Sequence, residues 1–150
     1  MPGMGTDPSG PRHWPALQPE DTRAAWARLR AWVEQLAERF PLSARAVPPC
    51  WYRHNHLVET LQALRDFERA CCHPQASPSS ALEFLRAVRE TEAVLIEWVA
   101  RTGCTASEHH ESGPRTATVD DETRWQDSVE ADHARRAAIA AEVDAVLDYQ

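Results

Sequence analysis

Apolar positions recur at helical spacing in four stretches, separated by segments rich in proline, glycine and serine. The first stretch predicts a helix from about residue 19 to 40. Pro19 suits its first position, Glu20 and Asp21 complement its positive end, and Pro41 stops it. Trp26, Leu29, Trp32, Val33, Leu36 and Phe40 fall within an arc of about 120°, so one face points to a core. A second helix is expected over about 55–72, with Leu57, Leu61, Leu64, Phe67 and Cys71 as its stripe and Val58 on the shoulder. It ends before Pro74.

The third stretch runs to about Thr102. Ser80 and Glu83 have capping-box spacing, and Gly103 suits a left-handed stop. Its apolar arc spans about 200°, built from Phe84, Leu85, Val88, Val94, Leu95, Ile96, Trp98 and Val99, wider than one neighbouring helix covers. That width predicts the central helix of the fold. The fourth stretch, about 121–147, is rich in alanine, which favours helix, but its stripe is patchy. Trp125 and Val129 are followed by a polar middle at Asp132 and Arg136, then by Ile139, Val143, Val146 and Leu147. No strand pattern or internal repeat stands out. The expected fold class is therefore all-α: a small three-helix bundle at 17–104, preceded by a flexible, disordered N-terminal arm at 1–16. A linker at 105–120 and an acidic, amphipathic helical tail at 121–150 follow. Trp14 is the one large apolar residue of the arm, and a candidate to tuck against the bundle.

Charge sharpens this division. Of 23 acidic and 16 basic residues in the 150-residue chain, residues 105–150 hold 11 and 4, so the whole net charge of −7 sits in the tail. The first 104 residues are neutral, with no cluster of positive charge to neutralise phosphates, and direct nucleic-acid binding is not expected. A DNA-binding regulator with the second helix in a groove stands only as a third possibility. Every Lys/Arg position is Arg, with a single Asn and two Ile, a usage that points to a GC-rich genome. The apolar runs are too short to span a bilayer, and no charged segment followed by an apolar one marks an export signal. A cytoplasmic chain with reduced Cys50, Cys71, Cys72 and Cys104 is expected, and homo-oligomers are compatible with the wide apolar arcs. Met4 through Ser9 spells a myristoylation string only if translation starts at Met4.

Four groups of residues bear on chemistry. Antiparallel packing of the second and third helices brings the start of one to the end of the other. Cys50, His54 and His56 then approach Cys104, with His109 and His110 within reach on the linker. Thiolate and imidazole are zinc ligands, and Cys50, His54, His56 and Cys104 form a candidate tetrahedral set, although no Cys-x-x-Cys pair announces it. Small apolar thiols and solvated histidines are the plainer explanation. Cys71, Cys72 and His73 lie at the other end and cannot join that set. Second, Trp51, Tyr52, Arg53 and His54 are residue types that dominate binding hot spots, and are candidates for a partner surface or for capping the bundle. Third, Glu68 and Glu92 interrupt apolar stripes, about 10 Å apart along the axis, too far for concerted acid–base work. Screening by Arg65, Arg69 and Arg89 makes them rim ion pairs. Fourth, His54-Asn55-His56 shares only its spelling with a nuclease family whose ββα unit is missing, and Glu130-x-x-His133 is half of a di-iron motif without a second copy.

The run Pro48-Pro49-Cys50-Trp51-Tyr52-Arg53-His54, with Leu57-Val58-Glu59, Leu61, Ala63-Leu64 and Gly103-Cys104, resembles small uncharacterised actinobacterial proteins. These are associated with conjugative plasmids, integrative elements and phages, and include a domain of unknown function with a Trp-x-x-His helix start. The resemblance covers about residues 14–104 and implies a mobile-element accessory setting, with no catalytic residues to carry over. The proline that usually opens the helix after that histidine is Asn55 here. The leading expectation is a non-enzymatic interaction protein whose partner is another protein, with no required cofactor. The alternative is a zinc-binding regulator or small metalloprotein.

Overall fold

The computed structural model describes residues 9–113 and 118–149. Residues 1–8, half of the N-terminal arm, lie outside them, and with them all of the myristoylation string except Ser9. Among the described residues there are four α-helices and no strand: α1 (Pro19–Arg39), α2 (Asn55–Cys71), α3 (Ser80–Thr102) and α4 (Glu122–Leu147). Short 3-10 turns at Trp14–Ala16 and Trp51–Arg53 precede α1 and α2. None of these helices is long and apolar enough to cross a membrane. The chain divides into two units at Ser112/Gly113.

In the first unit, α1, α2 and α3 share one apolar core. Leu29 and Leu36 of α1, Leu57 and Leu61 of α2 and Leu95 of α3 are completely or almost completely buried. Each such leucine contributes about 1.5–3 kcal/mol relative to exposure. The central helix is α2, not α3 as the width of the apolar arc suggested. Both other helices pack on α2, which buries residues on two faces. Only one stripe of α3 is buried, formed by Phe84, Val88, Leu95 and Val99, while Leu82, Leu85, Val94 and Trp98 remain exposed. Arc width therefore misleads here because polar residues of α2 are also buried. Gln62 donates to Asp66 at 3.0 Å, Asp66 also accepts the backbone N–H of Arg12 at 2.7 Å, and these bonds satisfy polar groups in an interior position.

The loops are equally specified. The 41–54 connection is packed rather than loose: Ala46 and Pro48 are buried, and Trp51 closes the core beside Trp26. Trp14 meets Trp26 edge to face at 4.8 Å, anchoring the arm. At the start of α3, Ser79 occupies the cap position without a side-chain cap bond, so the expected Ser80–Glu83 box does not form. Its hydroxyl instead bonds that of Ser77 at 3.0 Å.

Glu68 is held from α1. The indole N–H of Trp32 donates to it at 2.7 Å and Arg39 pairs with it at 2.5 Å. Arg69 approaches Asp66. Trp32→Phe removes the indole N–H together with part of a ring that fills the core. It should lower unfolding free energy by about 1–2 kcal/mol in urea titrations, and an unchanged midpoint would contradict a stabilising role for the bond.

Candidate functional site

The site lies at the end of the first unit where α2 begins and α3 stops. Cys50 precedes a single 3-10 turn, closed by Arg53 N–H to Cys50 C=O at 2.9 Å and His54 N–H to Trp51 C=O at 3.2 Å. His54 is then the N-terminal cap residue of α2, in extended conformation and with no side-chain cap bond. Its backbone carbonyl accepts from Leu57 and Val58, which frees the imidazole to turn inward. Only 1% of His54 is exposed.

From the other side, Gly103 ends α3 with φ 77°, the left-handed conformation that lets the chain reverse. Cys104 follows and is buried. A tight turn at 105–108, with Thr105 N–H bonded to Glu108 C=O at 2.9 Å and Glu108 N–H to the Thr105 hydroxyl at 3.1 Å, sends the chain back. His109 and His110 thereby return to Cys104, whose Sγ accepts the His110 backbone N–H at 3.2 Å. Residues 105–112, expected as linker, belong to the first unit.

These two segments bring Cys50, His54, Cys104 and His109 together, with one donor atom from each lying within 4.8 Å of all the others. His54 Nε2 is 3.9 Å from Cys50 Sγ and 3.3 Å from Cys104 Sγ, and His109 Nδ1 is 3.7 Å from Cys104 Sγ. Tetrahedral zinc with ordinary Zn–S and Zn–N bonds separates its ligand atoms by about 3.3–3.8 Å. These three distances lie at or close to that range, and no two of the four donor atoms are farther apart than 4.8 Å. His56 is not a member. Its ring lies 5.1 Å from Trp98, and its Nε2 is buried without a hydrogen-bond partner. Three of the four candidate ligands thus meet, and His109 takes the place expected of His56.

Both imidazoles are oriented by groups behind them. His54 Nδ1 lies 3.3 Å from the Ser112 hydroxyl, which leaves Nε2 to face the sulfurs. His109 Nε2 lies 3.0 Å from the Glu111 carboxylate, at ion-pair distance but without hydrogen-bond geometry, with Nδ1 on the side of Cys104, and Arg53 pairs with the same carboxylate. A hydroxyl or carboxylate behind a histidine fixes its tautomer and raises its basicity toward a metal. Burial, reinforced by the nearby His109 and His56 rings, lowers the His54 pKa and favours the neutral ring. The thiols move in opposite directions. Burial and the neighbouring Cys104 raise Cys50. Burial opposes ionisation of Cys104 too, but the His110 N–H, together with Thr102, Cys50 and Arg53, outweighs it and lowers the pKa. Glu111 is lowered by its bond to His109 and by Arg53.

The hot-spot candidates separate. Trp51 and His54 are buried, Arg53 is tied to Glu111, and Tyr52 alone is an exposed large aromatic, 55% accessible. Cys71 and Cys72 take no part. The sequence signal for His109 is a second Cys–His pair: Cys50 precedes His54 by four positions, and Cys104 precedes His109 by five. A search for Cys-x-x-Cys does not detect two such mixed pairs. No protein-family model matches the chain, and no curated protein or solved structure matches it either.

The reversal at Gly103 is the backbone element on which Cys104 depends. A Cβ there would meet nothing closer than the His110 ring at 3.6 Å, so the cost of Gly103→Ala is strain from positive φ. The substitution should destabilise the protein by about 1–2 kcal/mol. Urea titration measures it, and an unchanged midpoint would mean that the reversal is not fixed by this residue.

Proposed function

We propose that the chain is a zinc-stabilised helical interaction protein, a three-helix bundle whose open end is closed by one structural zinc ion on Cys50, His54, Cys104 and His109. The observation that carries this reading is the convergence of two sulfur and two nitrogen donors within 4.8 Å, from segments about fifty residues apart in sequence. Buried polar groups need partners, and a metal satisfies all four donors at once. Four protein ligands complete a tetrahedron and leave no position for an activated water, which favours a structural role over a catalytic one. The ion would fasten residues 104–112 to the start of α2 and hold Tyr52 and Arg53 in a defined surface at that end. Cysteine-containing zinc sites suit a reducing compartment, in keeping with the cytoplasmic expectation.

Metal analysis of protein purified without chelator tests the reading, and about one zinc per chain is expected. Cys104→Ser and His109→Gln should each lose most of it, whereas His56→Gln should retain it. Chelation should lower the melting temperature by about 10 °C or more, because a ligand that binds only the folded state adds stability by mass action. Less than about one zinc per several chains, or equal loss in the His56 variant, would overturn it.

A further inference from the structure

No residue of α4 is buried, yet its sequence carries an ordered seam. Trp125, Val129, Ile139, Val143 and Val146 follow the alternating four- and three-residue spacing of a coiled coil, and together with Leu147 lie on one arc of about 100°. All are exposed. The two seam positions between Val129 and Ile139 are Asp132 and Arg136, so the polar middle lies on the same face rather than interrupting the register. Within the helix Arg136 Nε donates to Asp132 at 2.7 Å, and Arg135 also pairs with Asp132.

We propose that α4 is a homodimerisation helix that pairs antiparallel with α4 of a second copy of this chain. The occupant follows from self-complementarity. A two-fold axis beside Ala134 sets Trp125 opposite Val143 of the second copy, Val129 opposite Ile139, and Asp132 opposite Arg136. Trp125, Val129, Ile139 and Val143 then each meet an apolar residue and each charge meets its opposite, twice over, while Val146 and Leu147 lie opposite Glu122 and Asp121 at the ends of the pair. A parallel pair in register sets Asp132 against Asp132 and Arg136 against Arg136, which like-charge repulsion disfavours. Opposed helix dipoles also favour the antiparallel arrangement. A polar pair at seam positions costs stability and fixes register and orientation, the best-attested use of such residues in coiled coils. This inference stands apart from the zinc reading, since every donor of that site precedes Gly113.

The test uses the full chain, with association measured by sedimentation equilibrium and helicity followed by circular dichroism. The wild type should be a dimer, with or without chelator. Asp132→Arg places Arg opposite Arg136 twice and should weaken association at least about tenfold while the chain stays helical. The double exchange Asp132→Arg with Arg136→Asp should restore it. Wild-type and double-exchange chains carrying different affinity tags, mixed and re-equilibrated, should each pair with their own kind and not with each other. Antiparallel mixing would set Asp against Asp and Arg against Arg. Free mixing of the two would show parallel pairing and overturn the proposal. A monomeric wild type would also overturn it, as would a dimer indifferent to Asp132→Arg or a helical double-exchange chain that fails to associate.

Discussion

The contact between His54 and Cys104 governs the first unit. It joins the entry to α2 with the exit from α3, at 3.3 Å between Nε2 and Sγ, in a position where water is largely excluded. An imidazole and two thiols buried together are costly unless each finds a partner. Much of the local structure serves that requirement. The 3-10 turn sets Cys50 behind His54, Gly103 reverses the chain, and the 105–108 turn returns His109. Ser112 and Glu111 then lie behind the two imidazoles. These features lie in two segments about fifty residues apart and converge on one point. As ordinary packing they have no common purpose; the proposed zinc ion would supply one.

The helices and their core faces were legible because a 3.6-residue period and terminal prolines and glycines act locally. Pro19 begins α1, Gly103 ends α3, and Asp121 caps α4 by accepting the Arg124 N–H, each close to where the sequence placed it. The order of packing was less legible. An exposed apolar shoulder at Leu85, Val94 and Trp98 widens the arc of α3 just as a second buried face would, and the buried polar residues Gln62 and Asp66 conceal the second face of α2. Periodicity reports which residues are apolar, and burial also depends on which polar groups find partners.

The candidate site was half legible for a related reason. Antiparallel helices predict that Cys50, His54 and Cys104 share one end, and they do. The choice between His56 and His109 depends on a turn of four residues and on one rotation along α2, neither of which leaves a periodic trace. His56 lies two positions into α2, where the helix directs it toward Trp98. His109 is delivered by a loop that read as linker. The seam of α4 was obscured differently: Asp132 and Arg136 look like a break in an apolar stripe until their mutual complementarity across a two-fold axis is considered.

X-ray absorption at the zinc edge, on the purified full chain, reads directly which atoms surround the metal. A four-coordinate ion with two sulfurs at about 2.3 Å and two imidazole nitrogens at about 2.0 Å is expected. A shell of oxygen or nitrogen alone would contradict it, as would a spectrum unchanged when both Cys50 and Cys104 are replaced by serine.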